Sequence, residues 1–218
     1  MVRRISRQFG LAICVAIAAA AVAQADVQNL VINGSFEDAT LAPGTDWNIY
    51  TSLTGWSLAR GPSVEVQRGV QSWLAANGRQ YIELDSDIDG PEGTITGDDA
   101  SSAIYQDIPT LPGQQYEVQF AFSPRPGVAD NALEIKWNGI VLDTLRADGM
   151  TLTDTSWKTY TYVVPAVLAQ TRIEFGDRGA SDSLGTFVDD VAVRLVPEPA
   201  ALLLLAGGAA TLLRRRPG

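Results

Sequence analysis

The chain has 218 residues, with 16 basic and 25 acidic side chains, no histidine and a formal net charge of −9. The absence of histidine excludes Ser-His-Asp and Cys-His nucleophilic sites and histidine-ligated zinc. The terminal segments 1–25 and 200–218 hold three arginines each and no acid, so ten bases face 25 acids between them, a net of −15. Such a surface repels nucleic acid and anionic lipid and favours cations and neutral or basic partners.

At the start, Arg3, Arg4 and Arg7 precede the apolar stretch Phe9 to Val22, and Ala23-Gln24-Ala25 offers small residues where a signal peptidase reads. This pattern predicts a secretory signal over residues 1–25, cleaved before Asp26. Cys14, the only cysteine, lies inside that stretch beside Ile13, too large for a lipid-attachment motif. The exported chain is therefore expected to fold without disulfides, through core burial or metal.

From Asp26 to Pro199 there is enough chain for one sizeable core. The apolar pattern in it has period two. Strands are predicted at Val27–Ile32, Ser63–Gln67, Gln80–Leu84, Ala103–Ile108, Tyr116–Phe122, Leu133–Trp137, Ile140–Leu145, Thr159–Val164, Thr171–Phe175 and Thr186–Leu195. Asn138-Gly139 supplies the two positive-φ positions of a tight hairpin. Asp85 to Ser102, rich in Asp, Gly, Ser and Thr, reads as one long loop. About ten short strands without a competing helix predict an all-β antiparallel sandwich, with jelly-roll and immunoglobulin-like topologies both open on pattern alone.

The tail reads "VPEPAALLLLAGGAATLLRRRPG", residues 196–218. As a helix, Ala200 to Leu213 would reach roughly 21 Å, short of the ~30 Å hydrocarbon core. Arg214, Arg215 and Arg216 crowd its end and it has no polar face, which argues against a core helix.

Two resemblances add to this reading. The fragments "NLVINGSFED", "GW", "GRQYIELDS", "IYQDI", "PGQQYEVQFAFSPRPG", "WNG" and "GTFVDDVAV", in that order between Asn29 and Val193, resemble a galactose-binding-like jelly roll. The family is one of uncharacterised plant cell-wall and bacterial surface domains related to carbohydrate-binding modules. The resemblance implies a non-catalytic role on polysaccharide or cell wall, often with a calcium ion bracing the sandwich. Plant members pair two domains and carry cysteines, whereas this chain has one domain, taken as residues 26–195, and no cysteine in it. The tail resembles a PEP-CTERM sorting signal, over residues 196–218, which implies processing by an exosortase. The arginines would hold its end on the cytoplasmic side, placing Pro197, Glu198 and Pro199 at the outer face of the inner membrane. A run too short for a permanent span suits a transient anchor that is later cut. Export to the cell surface or extracellular matrix is the implied localisation.

For sugar contact the useful groups are flat aromatics and planar polar side chains. Trp47 and Tyr50 in the polar stretch Ala42–Thr54, Trp73 in a segment without strand pattern, and Arg125 between Pro124 and Pro126 are the candidate ligand-binding residues. Trp56, Trp137 and Trp157 adjoin strands and are expected in the core. For calcium, the resemblance implies Glu37 and Asp189. In the last strand Phe187, Asp189, Val191 and Val193 share one face by alternation, so Asp189 is expected to point with core residues and to need a partner there. Asp85, Asp87, Asp89 and Gly90 match half of an EF-hand loop, but Thr96 stands at position twelve, which favours a solvated acidic loop. No catalytic residue is assigned. Paired carboxylates such as Asp85, Glu92 and Asp98, or Asp189 and Asp190, are the basis of a weaker glycoside-hydrolase reading. A structural matrix or adhesion protein without sugar binding is the stronger rival.

Overall fold

A computed structural model describes residues 28–86 and 101–197. The signal segment, Asp87 and Asp89 with most of their loop, and the sorting residues Glu198, Pro199, Arg214, Arg215 and Arg216 lie outside the described residues. No helix among the described residues is long and apolar enough to cross a membrane. Their only helical residues form a 3₁₀ turn, Val70–Ser72.

Among the described residues, twelve strands make two six-stranded antiparallel sheets, a jelly-roll sandwich. In chain order they are β1 (Trp47–Tyr50), β2 (Ser52–Leu53), β3 (Trp56–Arg60), β4 (Val64–Gln67), β5 (Tyr81–Glu83), β6 (Ala103–Pro109), β7 (Gln115–Ser123), β8 (Asn131–Trp137), β9 (Ile140–Ala147), β10 (Lys158–Pro165), β11 (Gln170–Asp177) and β12 (Phe187–Leu195). One sheet runs β1-β4-β5-β12-β7-β10 and the other β2-β3-β6-β11-β8-β9. Alternation sends Val118, Phe120 and Phe122 of β7 inward to meet Ile173 and Phe175 of β11, Leu133 and Ile135 of β8, and Trp56 of β3. The predicted hairpin is present, with Asn138 at φ 50° and Gly139 at φ 78° joining β8 to β9.

Three features depart from expectation. First, residues 28–32 are not a strand. The Asn29 side chain replaces a ladder there, its Oδ1 accepting from the N–H groups of Val31 and Val193 and its Nδ2 donating to the Val191 carbonyl. Second, β1 to β3 arise within or beside the polar stretch Ala42–Thr54, where no strand is predicted, because their inward faces are completed by Tyr50, Leu53 and Trp56 at irregular spacing. Third, a bulge breaks the alternation of β12. Asp190 adopts φ 52° and the pairing with β7 shifts between Asp189 and Ala192. Val188, Val191 and Val193 therefore face the core, whereas Phe187 joins a second apolar cluster on the outer side. Asp189 keeps to the outer face with Phe187, so it is turned away from the core that Val191 and Val193 reach beyond the bulge.

That second cluster sets up the site. Trp73, Tyr81 and Phe187, with Trp157 beside them, lie on the outer face of the first sheet under the loops that follow β4 and precede β10. The central strands β4, β5 and β12 are thus buried on both faces, and the polar residues of their outer face are enclosed rather than solvated.

Candidate functional site

The outer face of β4 and β5 carries Glu65, Gln67, Tyr81 and Glu83. Glu65 is the cross-strand partner of Glu83, and Gln67 that of Tyr81. Gln67 organises the group: its Nε2 donates to Glu65 Oε1 at 2.7 Å and to Glu83 Oε2 at 2.5 Å, while its Oε1 accepts from the Tyr81 hydroxyl at 2.9 Å. Glu83, fully enclosed, also accepts from the Gly185 N–H at 2.6 Å and pairs with the Arg125 guanidinium at 2.5 Å. Burial drives the Glu83 carboxyl well above the usual carboxylate range, opposed chiefly by the charge of Arg125. Burial also raises the Tyr81 hydroxyl, which stays protonated and a donor to Gln67.

Above this network opens a cleft of about 350 Å³, lined by Trp47, Glu65, Gln67, Val70, Arg125 and the 182–184 turn. Its volume lies at the lower end of small-ligand sites, about 300–1,000 Å³. Trp47 on β1 stands across from Gln67 and supplies the one aromatic wall. Ser183 is held at φ 65°, and its hydroxyl has no hydrogen-bond partner among the described residues.

Of the four predicted ligand contacts, the cleft unites Trp47 and Arg125. Arg125 lies with its guanidinium carbon 5.4 Å from the Trp73 ring centre and 5.8 Å from that of Phe187, so its plane is fixed by aromatic faces and by Glu83 together. Trp73, only 9% exposed, is a prop beneath Arg125 rather than an open platform. Tyr50 sits on the opposite face of β1 from Trp47, packs on the main core and donates its hydroxyl to the Thr40 carbonyl. Trp56 and Trp137 are core residues as expected. Glu65, Gln67, Glu83 and Asp182 escaped the sequence reading. In "VEVQ" and "YIE" their alternation is that of a solvated strand face, and only the covering loops make it a site.

Glu37 and Asp189 both grip the loop between β4 and β5. Glu37 Oε1 accepts from the N–H groups of Arg79 and Gln80 at 2.6 and 2.7 Å. Gly78 beside it is favoured by its φ of 72°, and a Cβ there would also push the Glu37 carboxylate aside. Asp189 accepts from the N–H groups of Asn77 and Asp190, and burial lifts its carboxyl to about 7. Nearby, the carbonyl oxygens of Phe36, Glu37 and Ala39 converge on Gln80 Nε2 at 3.0–3.3 Å, while Gln80 Oε1 is buried without a partner among the described residues. As it stands, the Gln80 amide donors satisfy these three carbonyls and two N–H groups take up Glu37 Oε1; only with the amide turned over would this end of the loop offer an all-oxygen shell to a cation. No group of three or more acidic side chains gathers among the described residues.

A wider cleft of about 540 Å³ lies at the end of the sandwich between Arg60, Ser101, Asp177 and Arg178. Its cations are committed: Arg60 donates to the Ser101 and Asp177 carbonyls, and Arg178 pairs with Glu134. Among the described residues it has no aromatic wall.

No family model and no curated protein matches this chain. Among solved structures it is similar to the carbohydrate-binding module TmCBM61, determined in complex with β-1,4-galactotriose, at 20% identity over 78% of this chain and 99% of that one, with a TM-score of 0.46. A family 16 carbohydrate-binding module matches at 16% identity over 76% of this chain and 99% of that one, TM-score 0.44. A family 35 carbohydrate-binding module from Clostridium thermocellum matches at 17% over 68% and 91%, TM-score 0.39.

Proposed function

We propose that this chain is a non-catalytic carbohydrate-binding module that acts on polysaccharide or exopolysaccharide outside the cell. The observation that carries the reading is the cleft over β4 and β5. It combines one aromatic wall, Trp47, with a floor of planar amide, carboxylate and guanidinium groups whose positions are fixed by mutual hydrogen bonds before any ligand arrives. Rigid polar groups beside an aromatic face suit a pyranose, whose hydroxyls need partners and whose C–H face needs cover. The same geometry argues against hydrolysis. Glu65 and Glu83 are close enough to share one amide donor, yet Glu83 lies beneath the cleft floor, bound to Arg125, where it has no path to a glycosidic oxygen.

Affinity electrophoresis of the full chain through neutral and charged polysaccharides tests the reading. Retardation on at least one polymer is expected, and Trp47→Ala should weaken it at least tenfold. If wild type migrates freely on every gel, the protein is the structural matrix or adhesion component instead. Export by signal peptidase, passage through a transient inner-membrane anchor and exosortase processing of the tail are part of the proposal, supported by the sequence of the two ends. A bracing calcium ion, held by Glu37 and the carbonyls around Gln80, is likewise proposed.

A further inference from the structure

We infer that the end of the sandwich formed by the β6–β7, β8–β9 and β10–β11 turns docks on a lipid bilayer and so points the cleft away from the membrane. The inference rests on the reading of residues 200–213 as a membrane anchor and adds which face of the body meets the lipid. Hydrogen bonds join the three turns into one surface. The Thr110 N–H donates to the Ala169 carbonyl at 3.0 Å and the Gly113 N–H to the Ala166 carbonyl at 2.8 Å. Trp137 Nε1 donates to the Pro165 carbonyl at 2.9 Å and the Asn138 N–H to the Arg172 carbonyl at 2.8 Å. Of the ten large apolar side chains exposed among the described residues, five lie on or next to these turns: Leu111, Ile140, Val141, Val167 and Leu168, between 48% and 69% exposed. A single exposed apolar residue is ordinary, whereas a group of them on one face marks a contact surface.

Charge singles out the same end. Residues 108–116, 137–142 and 159–171 hold no Asp, Glu, Lys or Arg, in a body whose net charge is −15. The first charged side chains behind them are matched in sign: Arg172 pairs with Asp107 at 2.7 Å, Lys136 with Glu174 at 2.7 Å, and Arg194 faces Glu117 at 3.9 Å. An uncharged apolar end gives up its water to lipid at little cost, while anionic headgroups hold off the acidic remainder of the surface. Chain connectivity makes lipid the occupant. Leu195 stands opposite Tyr116 and the Val196 N–H donates to the Gln115 carbonyl, so the chain leaves the sandwich at this end. Ala200 follows Val196 by four residues, at most roughly 14 Å of extended chain. With the run from Ala200 in the bilayer, these turns are the part of the body held at the interface, where apolar side chains sink into the headgroup boundary. From there β7 and β11 run for roughly 25 Å to Ser123 and Asp177, beyond which come Arg125 and the 182–184 turn of the cleft. A polysaccharide outside the cell then meets the cleft with no bilayer in its way.

Fluorescence quenching of the full chain in vesicles tests this. Cys14→Ser removes the only cysteine. Single cysteines introduced as Ile140→Cys, Val167→Cys and, beyond the far end of β9, Met150→Cys then carry an environment-sensitive fluorophore. The vesicles are phosphatidylcholine, with or without a nitroxide on the upper acyl chain, and flotation reports whether the chain is bound. Probes at 140 and 167 should lose at least about half of their emission to the nitroxide, and the probe at 150 almost none. Adding Val167→Asp and Leu168→Asp, both on an exposed turn, to the Ile140→Cys chain should reverse most of the quenching with the anchor still in place. A chain that floats with unquenched probes at 140 and 167 overturns the inference and leaves the anchor reading standing. Quenching that the two aspartates leave unchanged overturns it as well, since the tether alone then accounts for the proximity. Probes shielded from both the nitroxide and aqueous iodide put a second copy of the chain on this end and overturn it too. Failure of the chain to float overturns both readings.

Discussion

Asp85 shows how much a single enclosed side chain changes the behaviour expected from sequence. Read as part of a solvated acidic loop, it is instead fully buried, bridged to Ser101 across the loop mouth, with Oδ2 accepting from the Asp182 N–H at 2.9 Å and Oδ1 unpartnered among the described residues. Burial is the main reason its carboxyl is raised to about 6, the Asp182 N–H works against that, and the nearby charge of Asp177 adds to it. The sign of the linkage follows. An acid whose folded pKa lies above its unfolded value of about 3.9 holds its proton longer in the native state, so folding stability falls as pH rises between about 4 and 6. The slope from one such proton is at most about 1.4 kcal/mol per pH unit, less any solvent screening. Asp189, raised to about 7, contributes with the same sign over a window reaching higher. Asp85→Asn should therefore match the wild-type melting temperature relatively best at alkaline pH. The difference in melting temperature, variant minus wild type, should climb from pH 4 to pH 6.5 and then level off. A difference that is flat across that range would show that Asp85 ionises normally in the folded protein.

At the scale of elements, the strands legible in the sequence are those whose alternation is driven by one continuous core face. β7, with Tyr116, Val118, Phe120 and Phe122, and the β8–β9 hairpin with its Asn138-Gly139 turn were read correctly because periodicity and turn chemistry agree there. β12 departs from simple alternation because a bulge at Asp190 is a backbone event that the pattern cannot see, and it places Val191 and Val193 on the face opposite Phe187 and Asp189. The first segment misled because Asn29 performs with its side chain what a strand would do with its backbone. The site was half legible: Trp47 and Arg125 stand out by type and setting, whereas Glu65, Gln67 and Glu83 look like any solvated strand face until Trp73 and its loop cover them. The same loop carries the proposed calcium contact, since Gln80 and Glu37 tie the turn before β5 to the N-terminal segment. A ligand that binds only the folded state stabilises it by mass action, about 2.7 kcal/mol at a hundredfold excess over Kd. Metal-stripped protein should therefore melt higher when calcium is restored. Glu37→Ala should abolish the response and Asp148→Asn should keep it. Superimposable wild-type curves with calcium and with chelator would remove calcium from the account.

For the molecule as a whole, the boundary between the sandwich and the tail decides what processing can do. The last ladder contact of the body is the Val196 N–H donating to the Gln115 carbonyl at 2.9 Å, one residue beyond the end of β12, and Pro197 is already exposed. Proline cannot extend that ladder, because it has no N–H to donate, and Pro199 repeats the restriction two residues on. A cut among residues 197–199 therefore removes none of the contacts described in either sheet. With no cysteine after Cys14, the body relies on its two-sided burial of β4, β5 and β12 rather than on disulfides. Intact-mass measurement on protein recovered from the native envelope should accordingly find a species beginning at Asp26 and ending within residues 197–199. A chain truncated after Pro197 should melt within about 1 °C of the same body carrying its full tail. Recovery of a mature species that still ends at Gly218 would remove exosortase processing from the proposal while leaving the cleft and its ligand untouched.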